Sequence, residues 1–305
     1  MVSSILIWTF GVPMFTVFAL IRAGRRQQNH ATHIGLALGA AAILGFGGSA
    51  GWPDFPPREA LHWLGYMIFL TLIGGVGFDL VIASRLTKIS EGKIPRPTRR
   101  PGEKYAGILI CILLAITFVI VLRPILFSID ADGVKEMMVQ TWALDACLSA
   151  AIFASVMEML RRNGMNNVGN LSIGVSAILA GCICVYTGSA RLAQACLALG
   201  AAYTLGAALS WKTPDRNVGG LWTGQILLFG LLICGHHYGN MPRSSCNILM
   251  LIPMVAIFCV RPSLKTSMIR SAMALICFVG ALAITVSEGE PDEPVQEEEA
   301  GDYDY

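Results

Sequence analysis

Two carboxylates stand inside otherwise apolar runs: Asp145 in TWALDACLSAA and Asp79 in GGVGFDLVIASR. A charge at the centre of a membrane helix costs about 2.5–3.5 kcal/mol on insertion scales, so an acid retained there is a candidate for binding a substrate, an ion or a proton. Asp145 falls near the middle of its run and is expected to face the interior of a bundle. Asp79 falls near the end of its run, within reach of Arg85 or of lipid headgroups. Further polar candidates are Gln140, about one helical turn from Asp145, and Arg191, Gln194 and Asn247 at the starts of later runs. His236 and His237 close another run, beside Tyr238. If these faces converge, they line a polar pocket around Asp145, and Arg191 is placed to hold that acid ionised.

The adjacent histidines do not read as a metal site. Neighbours on a helix differ in direction by about 100°, and no third ligand follows at i+3 or i+4. They read as interfacial anchors, with a proton-responsive gate as the alternative. No metal and no cofactor is expected. The nine cysteines form no CxxC pair, and Cys182 and Cys184 point to nearly opposite helix faces, so they read as small apolar packing residues. GGSAG, Gly47 to Gly51, matches G-x-S-x-G but lacks the strand-turn-helix context that gives such a serine its chemistry. There is no Walker lysine motif and no HExxH.

These residues must be carried by membrane helices. The chain has 305 residues, 54% hydrophobic and 14% charged, with a mean hydropathy of +0.62. Soluble domains carry about 25% charged residues. Continuous apolar runs of about 18 residues or more, without strict alternation, indicate spanning helices and not barrel strands. The expected fold is all-α, a polytopic transmembrane helix bundle of about ten spans at 3–22, 33–51, 61–84, 105–127, 138–160, 168–187, 190–211, 220–238, 246–260 and 266–287. The first run has its basic cluster (Arg22, Arg25, Arg26) behind it, which is the reverse of a secretory signal, so it reads as a retained span.

Charge sets the expected orientation. Seventeen of the 22 Lys and Arg residues fall in the odd-numbered connections. The positive-inside rule then puts those connections in the cytoplasm and both termini outside. The basic stretch Arg85 to Lys104 fits anionic lipid headgroups, at about 1 kcal/mol per basic residue near such a surface. Nine of the 20 acidic residues lie after Ser287, so the expected organisation is a helical bundle over 1–287 and a disordered acidic tail over 288–305.

GWPDFPPREALHWLGY and TGSARLAQACLALGAAYTLGAA together resemble segments of uncharacterised bacterial multi-span integral membrane proteins. The resemblance implies an integral membrane protein of unknown activity and transfers no catalytic or binding residue; the expected location is the bacterial inner membrane. In size, ten spans in this length are similar to drug/metabolite exporters built from inverted five-span halves. The two halves here show no internal sequence similarity, and the outward N-terminus departs from that pattern. The expected function is that of a non-catalytic integral membrane protein in a membrane assembly, with lipid and a protein partner or oligomer as its contacts and no nucleic acid. The alternatives are a small-molecule or proton-coupled permease with Asp145 in the pathway, and, third, a membrane-embedded enzyme.

Overall fold

A computed structural model describes residues 5–24, 30–53, 55, 59–90, 103–126, 148, 150–161, 165–211, 218–255, 276 and 279–287. Asp145, Gln140, the side chains of 85–104 and the acidic tail 288–305 lie outside the described residues.

The described residues are helical throughout their regular elements. A π-helical turn, Ile7–Gly11, runs into α1 (Val12–Gly24). Then follow α2 (His30–Ala50), α3 (Ala60–Ser90), α4 (Glu103–Leu126) and α5 (150–161). The second half contains α6 (Asn166–Tyr186), α7 (Ala190–Leu209), α8 (Gly219–Gly239), α9 (Arg243–Val255) and α10 (279–287). In hydrocarbon each backbone N–H and C=O needs a partner within its own segment, and a helix supplies it. The hydroxyls obey the same constraint by bonding back one turn: Thr71 Oγ1 to Met67 O at 2.8 Å, Thr117 Oγ1 to Leu113 O at 2.8 Å, and Thr223 Oγ1 to Gly219 O at 2.7 Å.

Six of these helices are long and apolar enough to cross a membrane: Ile7–Gly24, His33–Ala50, Ala60–Val81, Asn166–Tyr186, Ala190–Leu209 and Gly219–Gly239. They coincide with six of the ten expected spans. In α4 the apolar stretch is shorter, Ile108–Val121. The expected spans 138–160, 246–260 and 266–287 fall partly outside the described residues.

Helix α8 is the axis. Every residue from Gly219 through Gly235 is buried, and the helix touches α2, α3, α4, α6, α7 and α9. A helix that is apolar all round belongs in such a position. Close approach to its neighbours depends on glycine. A Cβ on Gly75 of α3 would stand 2.4 Å from Gly219 Cα, so the two backbones cross in contact there. The most extensive helix pair is α6–α7. Their hairpin turns at Gly188, whose φ of +81° suits glycine, and Ser189 N–H closes it on Cys184 O at 2.8 Å. Along the pair, a Cβ on Gly200 would come within 3.0 Å of Gly174 O. The small-residue run of α7 therefore serves helix packing inside the chain.

The helix ends sort into two groups. Gly24 adjoins His33, and the ends of α3 and α7 meet the starts of α8 and α6. At the opposite end, Gly48 adjoins Trp8, Tyr238 Oη bonds Val121 O, Gly239 adjoins Leu192, and Ser245 Oγ bonds Ala281 O.

Candidate functional site

The densest polar constellation gathers where α3, α5, α6, α7 and α8 meet at one end of the bundle. Its centre is Asp79, only 8% exposed. Sequence reasoning expected it to reach Arg85 or the headgroups. Instead its carboxylate accepts hydrogen bonds from the first backbone N–H groups of α8. Val218 N–H donates to Oδ1 at 2.8 Å and to Oδ2 at 3.0 Å, and Gly219 N–H donates to Oδ2 at 3.0 Å. The start of a helix leaves its first N–H groups without partners, and Val218, the residue preceding α8, has no side chain able to cap them. An acid from another helix does the capping here, on the side where the helix dipole is positive. The Gly75–Gly219 crossing brings the two helices together one turn away, so GGVGFD encodes both the approach and the cap.

Around this cap, Glu158 and Arg161 of α5 form a bidentate pair, Nε to Oε2 and Nη2 to Oε1, both at 2.7 Å. Arg161 is only 2% exposed. By its sequence position Arg161 is one of the basic residues counted in the odd-numbered connections, just past the expected span 138–160. It is instead a buried, paired charge, because an opposite charge stands three residues earlier on the same face. That i, i+3 spacing within an apolar run was the available signal. On the other side, Asn167 Nδ2 donates to Ser210 O at 2.6 Å and Ser210 Oγ donates to Asn167 Oδ1 at 2.9 Å, tying the start of α6 to the end of α7. Tyr203 Oη hydrogen-bonds Gly220 O, joining α7 to the first turn of α8.

The remaining candidates lie elsewhere. His236 and His237 sit in the last turn of α8, half-buried, with rings 4.9 Å apart in an edge-on arrangement. His236 Nδ1 lies 2.6 Å from Met241 O, a bond that fixes the chain as it leaves the helix. Arg191 is exposed and Gln194 half-buried in the first turns of α7, and Asn247 is half-buried in α9. The start of α7 adjoins the end of α8 through Gly239 and Leu192. These residues therefore share one end of the bundle, opposite Asp79. Among the described residues, no group of three His, Cys, Asp or Glu side chains is arranged to hold a metal ion.

Deeper in the bundle, three buried polar side chains carry atoms with no hydrogen-bond partner among the described residues. They are Asn170 (Nδ2 and Oδ1) and Ser176 (Oγ) on α6, and Gln225 (Oε1) on α8. Sequence reasoning singled out none of them, since an uncharged polar residue in an apolar run carries little signal by itself.

Compared with known proteins, the chain matches no protein-family model, no curated protein and no solved structure.

Proposed function

We propose that this integral membrane protein is a non-catalytic member of a membrane assembly in the bacterial inner membrane. The six apolar helices suit a lipid bilayer. The observation that carries the assembly reading is on α3. Gly75 of that helix faces inward against Gly219, whereas Gly74 and Gly77 are exposed, with nothing among the described residues within 4 Å of a Cβ built on either. They sit in an exposed stripe with Leu70, Ile73, Leu80 and Val81 at helical spacing. In hydrocarbon there is no hydrophobic force between helices, and small residues mark the faces where helices approach closely. The polar groups at the Asp79 end support the same reading, since they are engaged in holding helix ends together.

In this reading the Asp79 end is cytoplasmic, both termini face outward, and the basic stretch 85–104 lies on anionic headgroups of the inner leaflet. The test is the native size of the full chain extracted in a mild detergent. A species larger than the monomer is expected, and the double variant Gly74→Leu with Gly77→Leu should release the monomer with its helix content unchanged. A wild-type chain that runs as a monomer overturns the reading.

The orphaned atoms of Asn170, Ser176 and Gln225 favour a second reading, a permease-like carrier with Asp145 in its pathway, because polar groups inside a membrane bundle mark solute and ion routes. Reconstituted vesicles in which Asp145→Asn abolishes a proton-coupled flux would favour it over the first.

A further inference from the structure

Between α2 and α3, at the end of the bundle away from Asp79, lies a cavity of about 450 Å³. Its walls are Ile43, Phe46, Trp52, Tyr66, Phe69 and Leu70, and its volume falls within the range of about 300–1,000 Å³ typical of small-molecule sites. Two of these walls are also part of the outer face of the bundle: Phe69 is 52% and Leu70 63% exposed. The cavity is therefore continuous with the surface that the apolar helices turn to lipid. Trp52, itself 55% exposed, stands just past the end of α2, at the level where amphipathic rings meet headgroups.

From this we infer that the cavity is a binding groove for one acyl chain of a bilayer phospholipid, with the headgroup beside Trp52. The walls are almost wholly hydrocarbon and aromatic and open onto the face where acyl chains are the surrounding medium. Because lipid tails are as apolar as the groove, selection comes from shape: rigid aromatic walls on two helices hold one chain where a smooth helix face holds none in particular. Gly65 lets Pro53 and Phe46, both at the edge of the groove, pack close against α3. A Cβ there would lie 3.2 Å from Pro53 Cγ and 3.4 Å from Phe46 Cε1, so any larger side chain at 65 enters the groove. This inference does not rest on the assembly reading: the groove shares only Leu70 with the stripe that carries that reading, and its other walls lie on α2, on the turn after it and at Tyr66 and Phe69.

The test uses the full chain in phosphatidylethanolamine–phosphatidylglycerol vesicles doped with a phosphatidylglycerol that carries a diazirine in one acyl chain. After irradiation, adducts are located by mass spectrometry. Groove residues should be labelled at least about fivefold more than the exposed ridge of α4 at Ile112, Ile116 and Val119, a difference of about 1 kcal/mol in occupancy. Gly65→Leu should bring groove labelling down to the level of that ridge. Ile43→Trp fills the same space from the opposite wall and should do likewise, which covers the case in which Gly65→Leu fails to fold. Equal labelling of groove and ridge in the wild type overturns the inference. So does labelling that survives in a folded, filled variant, or a wild-type groove protected by a second copy of the chain.

Discussion

The two ends of α8 are held by different means. At its start, the N–H groups of Val218 and Gly219 are capped by Asp79, about 140 positions away in the chain. At its finish, the chain caps itself. Asn240 adopts the left-handed conformation with φ of 51°, its N–H and that of Met241 bond Gly235 O, and His236 Nδ1 meets Met241 O. The first arrangement is long-range and made by a carboxylate; the second is local and made mostly by backbone groups. A helix start presents donors that an acid satisfies strongly, while a helix finish presents carbonyls that the next few residues reach by folding back. The backbone cap at one end of the central helix therefore comes from the tertiary fold, and the cap at the other comes from the next residues of the chain.

The largest effect should come from removing the long-range cap. Asp79→Ala leaves two buried N–H groups without an acceptor and should cost about 3 kcal/mol, the upper range for hydrogen bonds to a charged group. Asp79→Asn keeps a carbonyl acceptor and should cost about half as much. Both are read as thermal midpoints in detergent, and equal midpoints for Asp79→Ala and wild type would erase the contrast between the ends.

Next in size is the crossing that makes the cap reachable. Gly75→Ala drives a methyl into the Gly219 backbone and should destabilise by about 2 kcal/mol. Gly74→Ala, one position along and facing open space, should stay within about 0.5 kcal/mol of wild type. The pair of substitutions separates the inward face of α3 from its outward one within adjacent positions.

The smallest effect belongs to the self-capped end. His236→Phe removes one half-buried local hydrogen bond and should cost about 0.5 kcal/mol, the low end for a neutral bond. A loss as large as that of Asp79→Ala would show that the histidine turn also depends on distant partners.

Much of the candidate site was legible in part. The acid at 79 was visible as a charge in an apolar run, but its partner was not, because a backbone N–H exists at every position and carries no mark in the sequence. Arg161 was visible as a cation near a span end. Its burial was hidden because a run of basic residues at such ends usually sets orientation, and only the fold shows α5 packed among its neighbours. Asn170, Ser176 and Gln225 were invisible as a group, since they lie on two helices.

The sequence by itself determined that this chain is helical and lies in lipid. The length of a span and the need to satisfy its backbone are properties of one segment, and composition displays them directly. Only the tertiary structure decided that α8 is the axis, that Asp79 caps it, that Gly75 faces inward while Gly74 faces outward, and that α2 and α3 part to leave an apolar groove. Each of these is a relation between helices. Rotation of a membrane helix about its own axis is set by the neighbours it meets, and in a helix apolar on every side no pattern along the chain records it.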